Sequence, residues 1–197
     1  HLKDASVTDD PRAVGPVDIV LFAVKLWDTE TAAHLARPLI GPNTRLITFQ
    51  NGVDSVERIA PILGADRVAG GIAYIASVID RPGVIAHTSE FARMRCGRVD
   101  GKDDPVLDAF ADAAKAAAID IETSAQINSD RWRKFTFLVA LSGMTAATRQ
   151  PIGVTLADPD MKAFFRSLMQ EVVAVARAGG VERRGRDIDV VAASKRR

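Results

Sequence analysis

Cys96 is the only cysteine in 197 residues, so the chain forms neither an internal disulfide nor a cysteine-based zinc site, and a reducing, cytoplasmic setting is expected. An excess of one charge is also missing. The 26 Lys and Arg and 25 Asp and Glu leave a formal net charge of +1, without the broad basic field that nucleic-acid binders use. No nucleic-acid partner is implied. The longest uncharged run, Phe135 to Thr148, has 14 residues, too few to span a bilayer. With no signal peptide either, no membrane association is expected. Of the three histidines, His34 and His87 lack a second ligand at metal spacing, so no metal is expected. Finally, none of the 14 glycines stands in a G-x-G-x-x-G turn, the device that brings a pyrophosphate close to a helix N-terminus.

What is present is a globular composition, 47% hydrophobic and 26% charged, enough for one large or two small domains. "VDIVLFAVK" is a nearly continuous apolar run rich in β-branched residues, the pattern of a strand buried on both faces of a parallel sheet. "DTETAAHLARPLIGP" reads as a helix, with Asp28 as N-cap and Gly41-Pro42 as the stop. "TRLITFQNG", "VDSVERIAPILG" and "RVAGGIAYIASVI" continue as strand, helix and strand. "RPGVIAHT" and "FARMRCGRV" read as two shorter strands pairing with each other at the sheet edge. The polar segment "DGKDD", residues 100 to 104, is the candidate linker. Beyond it the chain is mainly helical: Val106 to Ala117, a short extended "IDIETS", Asn128 to about Arg149, and Asp158 to about Ala178. The uncharged half of the third segment has the pattern of a central helix packed on several sides. The expected fold class is α/β: a partial doubly wound parallel sheet in residues 1–99, then an all-α domain in residues 100–197. The basic clusters "ERRGR" and "SKRR" read as solvated helix ends and a frayed terminus. The opening "HLKDASVTDD" reads like the interior of a protein, as in a fragment or trimmed chain.

Ligands of open α/β sheets collect at the carboxyl ends of the strands. Lys25 and Asn51 stand at two such ends, bringing a cation and an amide to one edge, suited to phosphate, ribose or carboxamide groups. The plainer alternative is a lysine reaching solvent and an Asn-Gly pair that merely turns. A second candidate is Lys134 in "SDRWRKFTFLVALSGMTAATR". Partial burial would bring its pKa toward the range of a useful proton donor. Helical spacing places Leu138, Ser142 and Thr145 on its face. Here the alternative is a solvated first turn, with the hydroxyls bonded to the helix's own carbonyls. Glu171 is a lone carboxylate and a weaker candidate.

Taken in order, "DIVLFAVKLWDTE", "FQNGVDSVE", "GGIAYIASVIDRPGVIAH" and "RWRKFTFLVALSGMTAATRQPIG" resemble the ketopantoate reductase (2-dehydropantoate 2-reductase) family across nearly the whole chain. The resemblance implies an NADP-binding, Rossmann-like domain and a C-terminal helical substrate and dimerisation domain, between which hydride passes from NADPH to the ketone of a 2-oxo acid. It implies Lys134 as the catalytic lysine, protonating the carbonyl oxygen and steadying the substrate. Lys25 and Asn51 match cofactor contacts near the ribose and nicotinamide. Ser142 matches a substrate-binding position. A 2-oxo acid and NADP(H) are thus the implied ligands, and a homodimer the implied assembly, in pantothenate biosynthesis.

Two departures qualify the match. Family asparagines four and eight residues after the lysine are replaced here by Leu138 and Ser142, which shifts the expected substrate from ketopantoate toward a bulkier or less polar 2-oxo acid. The family's first strand, its glycine-rich turn and its last helices have no counterpart in the sequence. The chain by itself is therefore expected to bind NADPH negligibly, and to belong to a longer polypeptide, associate or be unstable. A strand with G-x-G-x-x-G within about 80 residues upstream would favour the enzyme. The alternatives are a non-catalytic remnant serving as an interaction module, and another nicotinamide-dependent hydroxy-acid dehydrogenase of the β-hydroxy-acid or opine type.

Overall fold

The computed structural model describes residues 5–181; the basic clusters near the carboxyl end and the first four positions of the opening decapeptide lie outside the described residues. Five strands form one sheet in the order β1 (Val17–Phe22), β2 (Ile40–Thr48), β3 (Val68–Arg81), β4 (Val84–Gly97) and β5 (Asp120–Thr123). β1–β2, β2–β3 and β4–β5 are parallel, and β3–β4 is antiparallel. The chain is an α/β protein with a mostly parallel sheet followed by helices.

Strand periodicity explains how the sheet is covered. Leu46 and Ile47 are neighbours on β2, both fully buried, and must point to opposite faces. Leu46 packs with Phe22, Ala33, Ala36, Val56, Ile59 and Val68, so helices α1 (Thr29–Leu35) and α2 (Ser55–Leu63) cover that face. Ile47 packs with Ala69, Cys96, Leu107, Ala111 and Ile121, and helix α3 (Pro105–Ala116) covers the other. Among the apolar runs only β2 is covered on both faces; β1, expected to be buried on both, lies at the sheet edge with Phe22 as its one buried residue and Leu21 56% exposed, and β3 is buried only over its first half.

Several boundaries differ from the sequence expectation. β2 begins at Ile40, so Gly41-Pro42 opens a strand instead of stopping a helix; α1 ends at Leu35 and is followed by a 3-10 turn, Arg37–Leu39. Asp28 precedes α1 but makes no side-chain capping bond. Gly64 does close α2, at φ +96°.

The largest correction concerns residues 81–99. They do not form two strands that pair with each other; β4 is one 14-residue strand paired along its length with β3. The polar residues that looked like a break are absorbed as a bulge. The Ala76 amide donates to Ser89 Oγ at 2.9 Å and Thr88 Oγ1 donates to the Ala76 carbonyl at 3.2 Å, so side chains replace the missing ladder bonds.

The chain divides into two compact units between Ile127 and Asn128, beyond the polar segment at residues 100–104. The reason is β5, which pairs with β4 and adds residues 120–123 to the sheet; α3 is held there too, through its N-cap. Asp104 Oδ1 accepts from the Val106 amide at 3.1 Å, while Asp104 Oδ2 accepts from Arg45 Nε of β2 at 2.5 Å.

The second unit contains the helices α4 (Ile127–Thr148), α5 (Ile152–Ala157) and α6 (Pro159–Ala178). Its core joins Ala140 and Met144 of α4 to Phe165 and Met169 of α6, each pair at four-residue spacing. Phe137 and Phe165 meet edge to face with ring centroids 6.0 Å apart. α4 is thus buried along a stripe, Thr136, Ala140 and Met144, and not all round: Val139, Ser142 and Gly143 are exposed. Asp158 caps α6 by accepting from the Asp160 and Met161 amides, both at 2.9 Å.

Candidate functional site

Parallel β1 and β2 end side by side, with Phe22 opposite Thr48, and the Phe49 amide donates to the Phe22 carbonyl at 3.0 Å. Two loops therefore leave the sheet at the same edge, residues 23–28 and residues 49–54. Lys25 lies three positions beyond the end of β1, exposed, and opens the 3-10 turn Leu26–Asp28; its carbonyl accepts from the Asp28 amide at 2.9 Å. Asn51 is exposed on the second loop. Gly52 follows at φ +107°, a conformation that strongly favours glycine. The two loops touch through Gln50, whose Nε2 donates to the Val24 carbonyl at 2.9 Å. Lys25 and Asn51 therefore lie on neighbouring loops that leave the sheet at the same edge.

A buried polar network that sequence reasoning missed lies beneath these two residues. Gln50 is only 9% exposed. Its Nε2 donates to the Val24 carbonyl and to Thr29 Oγ1, each at 2.9 Å. Its Oε1 accepts from Thr48 Oγ1 at 3.2 Å, and Thr48 Oγ1 is also 3.2 Å from Ser55 Oγ. Thr29 Oγ1 in turn donates to the Leu26 carbonyl at 2.8 Å. Thr29, Thr48 and Ser55 are each at most 1% exposed. The available signal was an amide directly after an apolar strand, three buried hydroxyls being invisible to hydrophobic periodicity.

The second unit carries the remaining candidates. Lys134 lies seven residues after Ile127, about two turns into α4. It is half-buried, and desolvation lowers its pKa from the ordinary lysine value. Leu138 is half-buried and Ser142 exposed on the same helix. Thr145 Oγ1 donates to the Leu141 carbonyl at 2.8 Å, the self-satisfied arrangement that competes with ligand binding.

The minor candidates lie elsewhere. His34 is exposed in the last turn of α1. His87 Nε2 lies 2.9 Å from Ser89 Oγ and 3.1 Å from the Phe91 carbonyl, inside the β4 bulge. Glu171 is exposed on α6. Among the described residues no helix is long and apolar enough to cross a membrane.

The sequence matches two family models in the expected order: ketopantoate reductase PanE/ApbA over residues 1–101, and the ketopantoate reductase PanE/ApbA C-terminal model over residues 126–196. It is similar to the uncharacterized oxidoreductase YkpB of Bacillus subtilis, 27% identical over 186 residues that are 92% of this chain and 61% of that protein. The 2-dehydropantoate 2-reductase of Caulobacter vibrioides is 27% identical over 176 residues, 89% of this chain and 58% of its own length. The crystal structure of 2-dehydropantoate 2-reductase from Porphyromonas gingivalis superposes with a TM-score of 0.84 at 27% identity, covering 94% of this chain and 64% of that one. The chain thus spans roughly three fifths of the relatives it matches. The matched models, their order and the shared fold establish that the chain belongs to the ketopantoate reductase family.

Proposed function

We propose that these residues serve an NADPH-dependent reductase that converts a 2-oxo acid to the 2-hydroxy acid, with Lys134 as the catalytic proton donor. The observation that carries the reading is the state of Lys134: a half-buried ammonium on α4 whose pKa is lowered by desolvation, at the position that matches the family's catalytic lysine. A lysine with a lowered pKa gives up its proton more readily than one in water.

The nicotinamide cofactor, when bound, supplies the hydride. In this proposal Lys25 and Asn51 hold it from the edge where β1 and β2 end. An exposed cation and an exposed amide there, on loops in contact, fit a phosphorylated, hydrogen-bonding ligand. Lys134 Nζ donates its proton to the ketone oxygen of the substrate as negative charge builds on that oxygen, so the alkoxide is stabilised and quenched in one step. The neutral amine is then reprotonated from solvent. Ser142, exposed on the same helix, is the proposed hydrogen-bonding contact to the substrate.

Leu138 sharpens the substrate class. It is an aliphatic side chain at a place where the family carries an asparagine, and a lost polar contact discriminates strongly against a substrate that needs it. The proposed substrate is therefore a 2-oxo acid with a less polar or bulkier side chain than ketopantoate. The decisive experiment compares the full-length protein with its Lys134→Ala variant for NADPH and NADH oxidation across a panel of 2-oxo acids. Loss of turnover by about 100-fold or more is expected, and unchanged turnover would end the assignment.

A further inference from the structure

Gln50 uses both of its amide protons and its side-chain carbonyl to join two loops. Its two Nε2 protons go to the Val24 carbonyl, immediately before Lys25, and to Thr29 Oγ1 at the start of α1. Its Oε1 is engaged by Thr48 Oγ1 at the end of β2, and Asn51 is the next residue along. One buried amide thus bridges the backbone that presents Lys25 and the backbone that presents Asn51.

We propose that Gln50 is a positioning residue that clamps loop 23–28 to loop 49–54 and so sets the placement of Lys25 and Asn51. The cofactor consequence rests on the function proposed above. The chemistry demands an amide. The Val24 carbonyl can only accept, so the group facing it must donate, and the hydroxyl of Thr48 supplies a donor on the opposite side. Glutamate has the same shape, but it would set a carboxylate oxygen against the Val24 carbonyl in a site where Gln50 is 9% exposed, and a buried acceptor facing an acceptor is unsatisfied. An apolar residue would fill the space yet leave Val24 O and Thr29 Oγ1 without the amide that joins them. Thr29 has a related requirement, since its hydroxyl accepts from Gln50 while donating to Leu26 O.

The test uses the full-length protein with Gln50→Glu, and with two milder variants: Thr29→Val, which keeps the side-chain shape, and Thr29→Ser, which keeps the hydroxyl and loses a methyl group. Two readouts are taken: backbone amide hydrogen exchange, and the NADPH Kd from nucleotide fluorescence. For Gln50→Glu and Thr29→Val, faster exchange confined to residues 24–28 and 49–53 is expected. NADPH Kd is expected to rise about tenfold for Gln50→Glu and roughly threefold for Thr29→Val. Thr29→Ser, which retains the hydroxyl, should match wild type in both. A merely structural role predicts a lower melting temperature with Kd unchanged well below it; that result, or loop exchange identical to wild type, overturns the proposal. If the wild-type protein binds no nicotinamide nucleotide, the proposed function falls and exchange alone decides the clamp. Protection lost only in the two loops upholds it, and a uniform change or none refutes it.

Discussion

Arg45 Nε donates to Asp104 Oδ2 at 2.5 Å, and this bond ties the N-cap of α3 to strand β2. Asp104 also caps α3 through the Val106 amide, and its side chain is 2% exposed, against 18% for Arg45. One carboxylate thus satisfies a helix end and a partly buried guanidinium. Asp104→Ala should lower unfolding stability by about 2 to 4 kcal/mol, combining loss of the cap with an orphaned cation. Arg45→Ala should cost less, because Arg98 Nη1 stands 3.8 Å from the same carboxylate and keeps it partnered. Urea denaturation of the two variants side by side checks both magnitude and order.

Gly97 and Gly143 make opposite predictions for the same substitution. A Cβ on Gly97, at the end of β4, would overlap the Ser124 carbonyl oxygen and crowd Ile127. The overlap is with backbone just after β5, where the Ser124 amide donates to the Cys96 carbonyl at 2.8 Å. Gly97→Ala should therefore destabilise by about 3 kcal/mol, as overpacking in a core does. Gly143 lies within α4, exposed, and a Cβ there meets nothing within 4 Å. Gly143→Ala should stabilise by about 0.5 to 1 kcal/mol through helix propensity and reduced unfolded-state entropy. Thermal melts of the pair are the check, and a stable Gly97→Ala would contradict the β4–β5 geometry.

These residues also show what could be read from the sequence. The alternation that sends Leu46 to one face and Ile47 to the other is local, so the parallel strands and their flanking helices were legible. Gly52 and Gly64 were legible for the same reason, since a turn or helix end announces itself in one residue. The β4 bulge was not, because Ser89 matters only through Ala76 on another strand. Nor was the attachment of residues 120–123 to β4, a long-range pairing of a short segment. Helix α5 was missed because "IGVTLA" carries β-branched residues and no side-chain N-cap; its geometry depends on bonds such as Thr155 Oγ1 to the Pro151 carbonyl at 3.3 Å. At the candidate site, Lys25 and Asn51 were visible as polar residues ending apolar runs, whereas Gln50 acquires its meaning only from Val24 and Thr29.

Cys96 is fully buried against Ile47, Ala69 and Leu107, and desolvation, the main cause, with Asp108 and Asp104 adding to it, pushes its thiol pKa up to about 11. The thiolate is the reactive form. In the native protein at pH 8.5, iodoacetamide should therefore label Cys96 at least about 100-fold more slowly than in urea. A raised thiol pKa also sets the sign of a pH effect. The native state's preference for the neutral thiol is fully present below the unfolded thiol's pKa and lost as pH rises toward about 11. Rapid labelling at wild-type speed of unfolded chain would mean that the core around β4 opens readily.

Leu138 gives a test of substrate class that is separate from catalysis. Leu138→Asn restores a polar group on the Lys134 face of α4, where Leu138 is half-buried. In the full-length protein, kcat/KM for ketopantoate should rise about tenfold or more relative to that for an aliphatic 2-oxo acid such as 2-oxoisovalerate. Steady-state kinetics on both substrates measures the ratio, and an unchanged ratio would detach Leu138 from substrate selection.

Lys134 should leave a signature in both rate and stability. Burial lowers its pKa below the ordinary value of 10.5. As a proton donor it must be charged, so kcat should fall as pH rises through this lowered pKa, and Lys134→Arg, which cannot donate in that range, should not reproduce the profile. The stability effect has the opposite sense. Below the lowered pKa the folded protein bears the full cost of a desolvated ammonium, whereas between that pKa and 10.5 the unfolded chain binds the extra proton, so stability rises with pH. Relative to Lys134→Met, wild type should therefore gain stability across that alkaline window and show no relative change below it. Urea midpoints of the two proteins, measured in steps from pH 7 to about 10.5, give the difference directly. A flat difference across the window would place Lys134 in solvent and remove the physical basis for its role as the proton donor.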